Sequence, residues 1–188
     1  MKRRSLYLIV GLVIAGLLIV LVIRLSYPPV KISRAERERE VYASAIRSGG
    51  FKIAEYTTLD MLSNYDMKDF ENIAQKFPEL KPDTLRDFQE QNKQQLSLWQ
   101  YLQSTTDNRI LSPNDIELLE EDRYITLSRI GFDSDFNQAF FLWGIVDKIN
   151  NEIKPCDGIL VLLQKADDGW VIQNSLVVLH CNSPLDYK

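Results

Sequence analysis

An unbroken apolar run from Leu6 to Ile23 constrains this chain more than any other feature. Its 18 residues carry no charge. At ~1.5 Å per residue they make a helix of about 27 Å, close to the roughly 30 Å hydrocarbon core of a bilayer. Lys2, Arg3 and Arg4 precede the run and Arg24 closes it. A cleaved signal peptide usually has a shorter apolar stretch, about 7–15 residues, and a small-x-small cleavage site. The exit here, Val22-Ile23-Arg24-Leu25-Ser26-Tyr27-Pro28-Pro29, offers no such site and no lipoprotein cysteine. A soluble core helix of this length would show a polar stripe. The run therefore reads as an uncleaved signal anchor, with a cleaved signal as the alternative.

Orientation rests on three arguments. Lys2, Arg3 and Arg4 flank one end of the run; Arg24, Lys31, Arg34, Arg37 and Arg39 flank the other, so a bare positive-inside count favours the reverse topology. The short basic tail would then have to cross the membrane, however. Most of the downstream basic residues alternate with Glu36, Glu38 and Glu40 on a helix face, and the two cysteines suit an oxidising compartment. The expected topology is a cytoplasmic N-terminus with the domain outside. Gly11 and Ala15 make a small-xxx-small pair, which is also common in membrane helices that do not pair.

The expected organisation is a basic cytoplasmic tail at 1–5, a span at 6–25, a linker at 26–32 and one soluble domain at 33–188. Pro28 and Pro29 stiffen the linker. Ser33 with Glu36 has the pattern of a capping box and predicts a helix ending at Gly49-Gly50. Phe51–Thr58 reads as a strand and 67–77 as a helix. Thr84 is expected to cap a longer helix that reaches Leu102. Ser112 and Pro113 start another, with Ile116, Leu118 and Leu119 inward. Four β-rich runs follow: Tyr124–Gly131, Gln138–Asp147, Ile159–Lys165 and Trp170–His180, with Asn150–Gly158 read as a connection. The run Ala139–Val146 is apolar on both pleat faces, so both faces should be covered. These runs predict an α+β domain, helices packed on one side of a curved antiparallel sheet that ends in a four-strand meander.

The order helix, strand, helices, meander is similar to nuclear-transport-factor-like (NTF2-like) and cystatin-like architectures, an analogy that carries no activity. Leu127-Ser128-Arg129-Ile130-Gly131-Phe132, Gln138-Ala139, Leu162-Leu163-Gln164-Lys165 and Asp168-Gly169-Trp170 resemble a pattern in uncharacterised bacterial single-pass extracytoplasmic proteins. The resemblance implies a bacterial source and a shared fold, and assigns no reaction.

Candidate chemistry is sparse. The chain has two cysteines and one histidine, too few for a zinc site without clustered carboxylates, and no metal or cofactor is expected. Centring the last hairpin on Asp168 sets Cys156 opposite His180, one position from Cys181, and a structural disulfide between Cys156 and Cys181 is expected. Asp133-x-Asp135-x-Asn137 matches the opening of a calcium loop, but Gln138 and Gly144 stand where such a loop needs glycine and glutamate, so turn chemistry explains it. The net charge of −4 argues against a nucleic-acid partner. The expected function is a membrane-anchored, non-catalytic extracytoplasmic domain that binds a protein or a small ligand. Trp99, Tyr101 and Trp143 are candidate contact residues. The alternatives are a hydrolase using Asp133, Asp135 or Asp147, and a structural subunit of an envelope complex.

Overall fold

The computed structural model describes residues 32–46, 51–59, 73–102, 108–120 and 122–179. The span expected at 6–25 lies outside these residues, and among the described residues no helix is long and apolar enough to cross a membrane. From Arg34 onward the chain forms one unit. In chain order its elements are α1 (Arg34–Ala45), β1 (Lys52–Ala54), α2 (Pro82–Gln91), α3 (Trp99–Leu102), β2 (Arg109–Leu111), α4 (Pro113–Leu118), β3 (Asp122–Leu127), β4 (Gly131–Phe132), β5 (Gln138–Ile149), β6 (Glu152–Ala166) and β7 (Gly169–Leu179).

The class is α+β, as the patterning predicts, but the sheet is mixed rather than antiparallel. Its order is β2-β1-β3-β5-β6-β7, with β4 also on β5. β1 runs parallel to both β2 and β3, while β3, β5, β6 and β7 follow one another antiparallel. β2 escaped sequence reading because only Arg109-Ile-Leu111 stands between its neighbours, too short for alternation to register.

The strand expected at Tyr124–Gly131 divides into β3 and β4 around Ser128, whose hydroxyl accepts the Leu142 amide at 2.8 Å. The connection expected at Asn150–Gly158 is mostly strand. Asn150 and Asn151, at φ 51° and 65°, make a two-residue turn, the left-handed geometry that favours asparagine. Pro155 is tolerated because the register shifts beside it, leaving Cys156 as an extra residue, and because β7 pairs only from Gly158 onward.

Helices cover both faces of the sheet, not one. On the first face, Val41 and Tyr42 of α1 and Tyr101 and Leu102 of α3 pack on Ile125, Leu127, Phe141, Val161 and Leu163. On the second, Phe77, Leu80 and Phe88 pack on Phe140, Leu142, Leu160 and Leu162. The double apolar patterning of β5 is thereby used on both sides. The helix expected to run from Thr84 to Leu102 begins at Pro82 and stops at Gln91. Asn92 ends it by bridging to the β3–β4 connection: its Nδ2 donates to the Arg129 carbonyl at 3.0 Å and its Oδ1 accepts the Arg129 amide at 2.8 Å. α4 has the expected cap, with Ser112 Oγ accepting the Asp115 amide at 3.2 Å and Asp115 Oδ2 accepting the Ser112 amide at 2.9 Å. Leu118, expected inward, is exposed instead.

Candidate functional site

The second face of the sheet carries two separate apolar clusters. Away from α2, Ala54, Leu111, Tyr124 and Val146 form the smaller one, with Ile116 and Leu119 packed against it. Between α4 and the strands lies a pocket of about 490 Å³. Its apolar wall includes Leu111, Ile116, Tyr124, Val146, Ile153 and Pro155, and its polar positions include Tyr56, Thr126, Glu117 and Lys148. The pleat explains the membership, since Tyr124 pairs with Val146 and Val146 with Pro155, so all three project from one face.

Lys148 is buried at this site. Its ammonium donates to the carbonyl of Ile116 at 2.8 Å and to that of Glu117. Those carbonyls end the short helix α4, where a cation is favoured. Lys148 therefore fixes the roof of the pocket to its floor and spends its charge doing so. Burial pushes the Tyr124 phenol above its ordinary range, which keeps it a neutral hydroxyl.

The carboxylates considered for hydrolysis do not converge. Asp133, in the β4–β5 turn, is buried and accepts the amides of Asn137 and Gln138, each at 2.7 Å, as well as the Lys81 ammonium. Asp147 accepts Arg123 Nε at 2.8 Å and Nη2 at 3.3 Å. Nine residue steps along β5 separate Gln138 from Asp147, about 30 Å of strand. Asp135 is exposed in the turn. The Asp133-Asp135-Asn137 spacing thus serves a turn closed by Lys81.

The candidate contact aromatics are dispersed. Trp99 is exposed. Tyr101 is buried edge-on against Tyr42, with centroids 6.2 Å apart, and is not a surface residue. Trp143 is half-buried against Phe51, centroids 6.2 Å apart. None of the three lines the pocket. Cys156 is buried on β6, while His180 and Cys181 lie outside the described residues. Sequence reading missed the pocket, and its one signal was Lys148, a cation beside Asp147 at the end of a mostly apolar strand.

Comparison with family models, with curated proteins and with solved structures returns no match.

Proposed function

We propose that this chain is a membrane-anchored extracytoplasmic domain whose pocket under α4 binds a small, largely apolar ligand without transforming it. The observation that carries the reading is the pocket itself. A cavity of about 490 Å³, whose apolar side chains stand beside polar ones that include Glu55, Tyr56, Thr57 and Glu117, has the size of small-molecule sites. Lys148 does not mark the ligand as an anion, because it is already committed to the carbonyls of α4. The non-catalytic part is supported by the separation of Asp133 from Asp147 and by the partner each already has. Anchoring is supported by the Leu6–Ile23 run.

The test is thermal unfolding of the full chain in detergent against a panel of small apolar compounds. A ligand at about 100 times its Kd adds about 2.7 kcal/mol, a rise of several degrees. Val146→Trp should fill the pocket and abolish that rise, and Ile153→Asp, at an exposed lining position, should weaken it without disturbing the core. A rise that survives both substitutions places the ligand elsewhere. Membranes from expressing cells should retain the chain through alkaline carbonate extraction, and a soluble, N-terminally shortened chain would replace the anchor with a cleaved signal.

A further inference from the structure

The pocket under α4 is lined by polar groups that the fold leaves without partners. Tyr124 is 5% exposed and lines it beside Val146. Among the described residues nothing hydrogen-bonds the Tyr124 hydroxyl. Burial alone pushes the phenol upward, with neither a charge nor a hydrogen bond adding to the effect. Buried hydroxyls nearly always have a partner, and an unpaired one is costly. In the lining of a cavity, a ligand group can supply the partner that the fold does not.

Two carboxylates also line the pocket, Glu55 and Glu117. Glu55 is half-buried and accepts the Ser97 hydroxyl at 3.3 Å, while Glu117 is exposed. Neither carboxylate is ion-paired among the described residues. The ammonium of Lys148 turns to backbone instead: it donates to the carbonyls of Ile116 and Glu117. Two carboxylates against one committed ammonium leave the lining negative. Tyr56, 43% exposed, stands in the same lining and offers a ring face that attracts cations.

These groups select both a charge and a shape. An anion would be repelled by Glu55 and Glu117. A neutral apolar molecule would cover the wall and draw nothing from the carboxylates. A metal ion is a poor match, because among the described residues no three carboxylates, histidines or cysteines gather to hold one. A bare ion would also leave the apolar wall of Leu111, Ile116 and Val146 unused. Resting on the pocket reading above, we propose that the ligand is an organic ammonium. Its apolar body lies against that wall, its N–H groups donate to the Tyr124 hydroxyl, and Glu55 and Glu117 balance its charge. The net charge of −4 on the chain raises the local concentration of such a cation.

The experiment titrates the full chain, in a neutral detergent, with three molecules of one shape: the phenylpropyl ammonium, alcohol and carboxylate. The amine is protonated at pH 7, as lysine is. Calorimetry should show the ammonium bound at least tenfold more tightly than the other two. Glu55→Gln and Glu117→Gln should each weaken the ammonium at least threefold, leave the alcohol unchanged, and lose their effect as salt is raised. Tyr124→Phe should weaken the ammonium about three- to tenfold. The same substitution should leave the unfolding temperature of the free chain unchanged or higher, because the hydroxyl it removes has no partner in the fold. A lower temperature would overturn the anchoring role of Tyr124. Equal binding of ammonium and alcohol, both abolished by Val146→Trp, would overturn the charge assignment and leave the pocket reading standing. If the panel of apolar compounds yields a ligand and the ammonium does not bind, this inference fails alone; if nothing binds, both readings fail.

Discussion

Gly131 and Phe88 meet backbone to backbone: a Cβ added at Gly131 would stand 2.5 Å from the Cβ and amide nitrogen of Phe88 and 2.6 Å from its Cα. That approach lets α2 lie against β4 and lets Phe88 set its ring edge-on to Phe140, with centroids 5.1 Å apart. Gly131→Ala should therefore force α2 outward and destabilise the fold by about 1–3 kcal/mol, as overpacking does. Thermal unfolding should show a loss of several degrees. Shortening Phe88 to alanine as well should restore nothing, because two of the three clashing atoms are backbone.

Glu38 is the charged centre of the seam between α1 and the β3–β4 connection. Its side chain is 2% exposed, and Oε1 accepts Arg34 Nε at 3.1 Å and Arg129 Nη2 at 3.5 Å. The neighbouring Tyr101 phenol is pushed up first by burial and then by Glu38. Glu38→Ala leaves the largely buried Arg129 uncompensated and should cost about 3–5 kcal/mol, read from the urea midpoint. Pairing it with Arg129→Met should recover part of that loss, since the stranded charge is then gone.

How far these features could be read in advance depends on whether their cause is local. α1 and α4 were legible because Ser33 and Ser112 sit just ahead of their helical patterns. β5 was legible, with both faces apolar, because alternation is itself the packing rule. What stayed hidden depends on contacts distant in sequence. β1 and β2 join in parallel across more than fifty residues, and Asn92 stops α2 by bonding to Arg129. The pocket lies where Lys148 reaches back to α4. No spacing along the chain encodes those meetings.

The cap of α4 predicts an acid-dependent step. Asp115 is held below its ordinary carboxylate range by the Ser112 hydroxyl and then by the Ser112 amide, against a small opposing effect of desolvation. A folded-state pKa below the unfolded one means stabilisation that is full above about pH 4 and is lost as pH falls through the folded value. The native chain should thus be more stable than Asp115→Asn near neutrality. The difference should shrink toward zero as pH drops below about 4, in urea unfolding followed from pH 6 to pH 2. A difference that stays constant across that range would show that the carboxylate charge contributes nothing to the cap.

The last hairpin carries the remaining prediction. It opens with Ala166 opposite Gly169, and two register shifts each give β7 one extra residue, so Gly158 meets Leu179 rather than Val177. Cys156 lies two positions before Gly158 and Cys181 two positions after Leu179, that last described pair. We expect the two to be oxidised to each other, closing a loop of about 25 residues and contributing on the order of 3 kcal/mol. Cys156→Ser should lower the unfolding temperature by several degrees, and adding Cys181→Ser should do little further harm, because one bond is lost in either case. Alkylation of denatured, unreduced protein taken directly from cells, followed by intact-mass measurement, decides between the states. No added alkyl group is the expected result. Two would remove the disulfide and, with it, one of the arguments that puts the domain outside the cytoplasm.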